Sequence, residues 1–277
     1  MSRRRLPRPA SAHGEPIARE RRHTLFFLNE IRAFAPVFLD TEVDMTAVLA
    51  HRAAALAAGR RYSLVSYVLW SAARVLVRHP EANAAIRGRL RPRVQRHPFA
   101  NGKITLDRTL GERRIVLSFV LRNLHRATID DVQSQLDHLR EGDPERMREF
   151  AGARALHQPR LPVALYRFRQ AARPLPKRAY VMGTFAVTSL GHRAVDGFHS
   201  VGGTTVTLGV GRVLERPVVR AGAVEVAPLL RLNLAFDHRV IDGAEAADVL
   251  TEVRDLLEAF PADAGVRVAP PLGARAR

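Results

Sequence analysis

The pattern of apolar residues changes period once between Leu232 and Phe260, and that change constrains the chain more than any other feature. Leu232, Leu234 and Phe236 alternate with other residues, as in a strand with one buried face. Ala246, Leu250, Val253, Leu257 and Phe260 come next in steps of four and three, which make one stripe of a helix. Between the two lies HRVIDG, His238 to Gly243. An imidazole therefore sits on a short turn leaving a sheet, and a carboxylate sits where a helix begins.

Each polar residue of the turn has a structural and a chemical reading. Asp242 stands three residues before Glu245, the spacing of a capping box. His238 alone reads as a hydrogen-bonded histidine without a role, and Gly243 as relief for a crowded first turn. The combination points further. Imidazole is the side chain best suited to moving a proton near neutral pH. Here it is fixed at a strand end rather than on a loose loop.

The string FDHRVIDGAEAADVL resembles the signature of the dihydrolipoamide acyltransferase catalytic domain, from the 2-oxoacid dehydrogenase complexes. The match includes its H-x-x-x-D-G core. Other stretches are similar to the same family. EVDMTAVL resembles its "evDvt" step from strand to helix, and Pro80, Asn83 and Ala84 its "P-x-x-N-A". MGTFAVTSLG, Met182 to Gly191, resembles "GTFTISNLG"; TVTLGVGRVLERPVV, Thr205 to Val219, resembles the "AILGVGRI" strand and its continuation. The resemblance covers about residues 35 to 260, with a break from roughly 142 to 180.

The resemblance implies an α/β fold of the chloramphenicol acetyltransferase type, a two-layer sandwich with a mixed sheet and helices on one face. It implies a cytoplasmic acyltransferase moving an acyl group between coenzyme A and a thiol, such as a dihydrolipoyl group. No lipoyl domain or subunit-binding domain is recognisable, so that group would arrive on a separate protein. His238 would take the thiol proton. Thr188, where the family usually has Ser, would donate to the oxyanion of the tetrahedral intermediate. Asp242 would order the turn by pairing with an Arg and capping the helix. Ser189, pointed to the other strand face, is a second polar candidate and joins Gly243 as a substrate contact. No metal and no covalently bound cofactor is implied; coenzyme A or its acyl form is the substrate. The site would lie at a subunit interface of a homotrimer, or of a higher assembly of trimers. The family's Asn near the active site is replaced here by SVGGTT. Two other readings stand: acetylation of a small hydroxyl or amine compound, and an inactive scaffold or binding subunit of such a complex.

Composition narrows the field. At 277 residues with 47% hydrophobic residues, the chain can bury a large core. It has no cysteine, which excludes disulfides, thiol nucleophiles and cysteine-held metals. No apolar run approaches the roughly 18 residues of a membrane span. The net charge of +17 invites a nucleic-acid reading. Yet Lys103 and Lys177 are the only lysines, and much of the Arg is scattered among abundant Ala, as a coding bias produces. The basic surface still suits an anionic ligand such as coenzyme A.

Along the chain, residues 1–22 read as a disordered basic tail, 23–262 as a single catalytic domain and 263–277 as a flexible tail. Strands are expected at Pro36 to Asp44, Gly102 to Asp107 and Arg114 to Leu121. The last is almost unbroken apolar, which places it centrally in the sheet. Helices are expected at Met45 to Ala58, Ser63 to His79 and Thr128 to Leu139. In the segment 142–180, VALYRFRQAAR reads as an amphipathic basic helix, with Leu165 and Phe168 beside Arg167, Arg169 and Arg173. It is either a surface for a membrane, an acidic partner or substrate, or, as is more frequent, a helix packed on its own domain with a solvated basic face. HRAVDG, His192 to Gly197, repeats the H-x-x-x-D-G spacing, but glycines surround it and no amphipathic helix comes after it. It reads as a loop. A metal site from His192, Asp196 and His199 lacks a recognised spacing. LGVGR lacks the third glycine and the helix of a dinucleotide fingerprint.

Overall fold

The computed structural model describes residues 17–88, 90–110, 113–157 and 159–261. The proposed tail 263–277 and residues 1–16 of the basic tail lie outside these. Residues 19–22 are helical rather than tail, since a 3-10 turn, Arg19–Arg21, runs into α1, Arg22–Glu30.

The order then runs β1 (Pro36–Asp44), α2 (Thr46–Ala57), α3 (Leu64–Arg78), β2 (Ala84–Arg87), β3 (Arg93–Arg96), β4 (Gly102–Leu110) and β5 (Arg113–Leu121). It continues with α4 (Ile129–Glu141), α5 (Ala151–His157), α6 (Leu161–Ala172), α7 (Leu175–Val181), β6 (Phe185–Ser189), β7 (Val206–Arg220), β8 (Ala223–Asp237) and α8 (Gly243–Glu258). Local chemistry sets several ends. Asp44 accepts the Thr46 N–H at 2.9 Å. Ser63 caps α3 through the Ser66 N–H. Thr128 and Asp131 form a full capping box on α4.

Six strands form one mixed sheet in the order β1-β8-β7-β6-β4-β5, with β4, β6 and β7 parallel. The alternation in β8 turns Leu230, Leu232, Leu234 and Phe236 to one face. There they meet α2, α3, α4 and α8 in a single large core. The expected mixed sheet with helices on one face is therefore present. The opposite face carries a partial cover of its own. Phe27 of α1 lies over the Lys103 ammonium there, 4.3 Å from ring centre to Nζ. A small second cluster joins Phe26 of α1 to Leu156 and Ala164, with Leu165 and Phe168 packed on it. Those two residues of the basic helix face its own domain, the second of the two readings of that segment.

β5 corrects one expectation. It is an edge strand, not a central one. Ile115, Leu117, Phe119 and Leu121 are buried, while Val116 on the other face is 52% exposed. An unbroken apolar run concealed an alternating strand.

β6 and β7 are parallel neighbours, so a crossover must link them. Residues 190–205 supply it without a helix and lie along the face opposite the large core. A Cβ on Gly211 would run into the carbonyl oxygen of Asp196, and one on Gly197 would come 2.7 Å from the Asn233 Oδ1. These glycines permit close backbone packing. The HRAVDG loop is thus a loop, as expected, but a firmly seated one.

Candidate functional site

His238 follows the last residue of β8, and its backbone is pinned on the β1 side. Its N–H donates to the Ala35 carbonyl at 2.9 Å. The imidazole Nδ1 lies 3.2 Å from the Ile241 carbonyl oxygen. A carbonyl only accepts, so Nδ1 carries the proton and Nε2 of the neutral ring keeps its lone pair. The ring is 47% exposed. Asp242 Oδ1 stands 3.4 Å from the same Nδ1.

Asp242 corrects a second expectation. It occupies the N-cap position of α8, but its side chain makes no capping hydrogen bond. No arginine pairs with it among the described residues, and its side chain is 89% exposed. The Glu245 of the expected box is engaged elsewhere: His79 Nδ1 lies 2.9 Å from its carboxylate, and His79 Nε2 lies 3.0 Å from Glu252. The residue that ends α3 thus grips two turns of α8. Gly243 relieves no crowding, since a Cβ there would meet nothing within 4 Å.

The arginine-paired carboxylate is Asp237, which the sequence reading missed. Its side chain is 3% exposed and receives the Arg239 Nε at 2.8 and 3.1 Å. It also accepts the Arg239 N–H at 3.2 Å and the Ala35 N–H at 3.3 Å. One buried carboxylate therefore ties together the residues on both sides of His238 and the start of β1. Its own N–H donates to Thr205 at 2.9 Å. The residues leading to Thr205 are fixed in turn, because Lys103 Nζ donates to the Gly202 carbonyl and Arg178 donates to the Gly203 carbonyl at 2.9 Å. Burial, with Arg178 nearby, pushes the Lys103 ammonium down to about 7. The signal available in the sequence was the D-H-R triplet, with an acid and a base flanking the imidazole.

Thr188 lies on β6. Phe185 and Val187 of that strand enter the large core, so Thr188 faces the opposite side and Ser189 the core side. Ser189 Oγ accepts the Gly191 N–H at 3.4 Å. Both residues line a cleft of about 1250 Å³ at the ends of β4 to β7.

The structure does not bring Thr188 and His238 together within one chain. Thr188 is level with Gly209, and Gly209 with Asn233. Asp237 is four residues beyond Asn233, about 13 Å along the strand, and two strand spacings add about 10 Å across. His238, Asp242 and Gly243 share one end of the sheet; Thr188 and Ser189 lie toward the other.

The second H-x-x-x-D-G has different surroundings. Asp196 takes the Arg212 Nε at 2.6 Å, and His199 Nε2 lies 3.3 Å from the Asn233 amide. His192 is exposed. No group of three metal-binding side chains occurs among the described residues, and none of their helices is long and apolar enough to cross a membrane.

The chain is similar to known proteins in sequence and in fold. Residues 169–264 match the family model described as "2-oxoacid dehydrogenases acyltransferase (catalytic domain)". Over 225 residues the chain is 28% identical to the dihydrolipoyllysine-residue acetyltransferase component of the pyruvate dehydrogenase complex of Bacillus subtilis (strain 168). That alignment covers 80% of this chain and 44% of the relative, so the chain spans less than half of it. The same component of Staphylococcus aureus (strain Mu50 / ATCC 700699) is 44% identical over 50 residues, 18% of this chain and 12% of that one. Among solved structures, a probable dihydrolipoamide acetyltransferase from Listeria monocytogenes 4b F2365 superposes with a TM-score of 0.66 at 19% identity, covering 91% of this chain and 97% of that one. The Azotobacter vinelandii dihydrolipoamide acetyltransferase gives 0.66 at 21% identity, with the same coverage. Residues 169–264 thus match the 2-oxoacid dehydrogenase acyltransferase catalytic-domain family, and the chain as a whole shares the fold of the Listeria and Azotobacter structures.

Proposed function

We propose that the protein transfers an acyl group between coenzyme A and a second thiol, such as a dihydrolipoyl group carried on a separate protein. The observation that carries this reading is the His238 ring. With Nδ1 held by the Ile241 carbonyl, Nε2 is presented as a base toward solvent. It would remove the thiol proton and leave a thiolate to attack the thioester carbonyl. The same nitrogen would return the proton to the departing thiolate, so the group is regenerated. Thr188 would donate its hydroxyl to the oxyanion formed between these steps. Asp242 would add a second acceptor at Nδ1, favouring the same tautomer and the imidazolium when it forms. Ser189 and Gly243 are the proposed substrate contacts.

The distance between His238 and Thr188 in one chain supports a site shared between copies, His238 from one and Thr188 from the next. A homotrimer closes such a site on itself three times by one heterologous contact. Action in the cytoplasm, beside a lipoyl-bearing partner, belongs to the same proposal. A thiol-release assay over a panel of acyl-coenzyme A compounds, with free dihydrolipoamide as acceptor, tests the reading. Release with at least one compound, lost in His238→Ala, is the expected result. No release with any compound would favour an inactive scaffold.

A further inference from the structure

Lys103 sits on β4, level with Ala186 of β6, on the sheet face opposite the large core. It is buried, yet it touches two elements that are far apart in sequence. One is the crossover after β6, where Nζ donates to the Gly202 carbonyl. The other is α1, whose Phe27 ring lies 4.3 Å from Nζ. The carbonyl and the ring face both favour the charged ammonium, against the burial that lowers its pKa. The crossover is squeezed at this point. A Cβ on Gly202 would come 2.5 Å from that of Ala186 on the sheet, and one on Gly203 would come 2.9 Å from both Phe27 and Ile31. Gly202 donates its N–H to Thr207 Oγ1 at 3.0 Å, and the next carbonyl, that of Gly203, accepts from Arg178 at 2.9 Å. Two basic side chains thus hold two successive carbonyls of a bare backbone, and charge-assisted bonds are roughly twice as strong as neutral ones. Both elements lead to His238. The crossover runs on to Thr205, whose carbonyl accepts the Asp237 N–H at 2.9 Å. The chain leaving α1 runs on to Ala35, which accepts the His238 N–H at 2.9 Å and donates its own N–H to the Asp237 carboxylate at 3.3 Å.

We propose that Lys103 is a positioning residue for His238: it anchors the crossover and α1, the two segments that fix the strand end from which the imidazole leaves. It touches no substrate in this role and acts only through Gly202 and Phe27. The inference deepens the acyl-transfer reading, and rests on it only for what His238 does. Placement matters because a shift of about 1 Å in a reacting group can cost about a hundredfold in rate. A loosened strand end spreads His238 over several positions, so fewer molecules present Nε2 to a thiol at any moment. Substrate binding is left alone.

Lys103→Met tests this, since it keeps an unbranched side chain and removes the donor and the charge. Lys177→Met is the control, because Lys177 is exposed on α7. Amide hydrogen exchange read by mass spectrometry follows residues 199–207 and 235–241, with α3 for comparison. Steady-state assays with the acyl-coenzyme A panel and free dihydrolipoamide give kcat and KM. Loss of a hydrogen bond from a charged group should speed exchange by about tenfold or more in both segments and leave α3 unchanged. The kcat should fall by about tenfold while KM stays within about twofold. The control should match the parent. Parent-like exchange at 235–241 would overturn the proposal, even if 199–207 opened. An equal speed-up in α3 would show a general loss of stability and also overturn it. So would an unchanged kcat beside the local opening, or a raised KM with kcat unchanged, which marks a substrate contact. If the parent turns over no thioester while the variant opens both segments as expected, the anchoring of His238 stands and the acyl-transfer reading falls. Should Lys103→Met not fold, Phe27→Leu decides, because it removes the ring face and keeps an apolar side chain over Gly203. Faster exchange confined to the same two segments supports the anchor, and parent-like exchange overturns it.

Discussion

The His238 Nδ1 points at the carbonyl of Ile241, 3.2 Å away and three residues along the same turn. The turn thus supplies its own orienting acceptor, and the ring needs no distant partner to fix its tautomer. A general base held this way contributes about 10²- to 10⁴-fold. His238→Ala should lower turnover by about that range. The fold should survive, because the ring is half-exposed and its backbone bond to Ala35 remains. His192→Ala should leave turnover within a few-fold. Steady-state rates of the two variants check this, and equal losses would mean that the HRAVDG loop carries chemistry.

Asp237 and Asp242 should respond in opposite ways to the same substitution. Asp237 is buried and takes five hydrogen bonds from Ala35 and Arg239. Asp237→Asn should cost about 1.5–3 kcal/mol, the value of hydrogen bonds to a charged group. It should also lower turnover, because the strand end before His238 loosens. Asp242 is exposed and caps nothing, so Asp242→Asn should stay within about 0.5 kcal/mol while trimming turnover. Urea unfolding beside steady-state assays separates the two. A larger stability loss from Asp242→Asn would show that it is the structural carboxylate after all.

The contrast between these two residues marks what the sequence could tell. The strand before His238 and the helix after it were legible, because period two and period 3.6 need only the order of residues. Which aspartate would take an arginine was not. Asp237 reaches Arg239 because the chain turns sharply after the strand, while Asp242 points to solvent; neither direction is encoded in spacing. The edge position of β5 was hidden for a related reason. Val116 is apolar but faces outward, and IVLSFVL reads the same whether one face is covered or both. Glu245 looked like half of a capping box until the fold brought His79 against it from the end of α3.

The grip of His79 on α8 gives a pH dependence with a definite sign. Burial alone would lower the His79 pKa, but hydrogen bonds to Glu245 and then Glu252 outweigh it and raise the value above its usual 6.5. A raised folded pKa means that the folded protein binds the proton more tightly than the unfolded chain. The resulting stability is fully present below about pH 6.5 and is lost as pH rises through the folded value. The Glu252 contact adds less, since that side chain is 40% exposed. The stability difference between the parent and His79→Gln should therefore be largest near pH 6 and shrink toward pH 9. Thermal unfolding across that range checks the sign. A difference that grows with pH would show that His79 is neutral in the folded state.

Separation of Thr188 and His238 within one chain predicts complementation. If each active site takes His238 from one copy and Thr188 from its neighbour, a single defect disables a site whichever copy carries it. His238→Ala and Thr188→Ala homo-oligomers should both be poor enzymes. Loss of one oxyanion donor costs about 10²- to 10³-fold, comparable with the loss of the base. Subunits exchanged between the two variants behave differently. Wherever a His238→Ala copy supplies its intact Thr188 to a Thr188→Ala copy with an intact His238, one complete site is rebuilt. A trimer with one copy of one variant and two of the other contains one such junction. It should recover about a third of the parent activity, a gain of orders of magnitude over either variant alone. Mixing after mild dissociation, then light scattering and assay, is the measurement. Recovery of activity with a trimeric mass is the expected outcome. Trimers that mix freely but stay inactive would place both groups in a single chain and contradict the register of β6, β7 and β8. A stable, active monomer would end the shared-site reading directly.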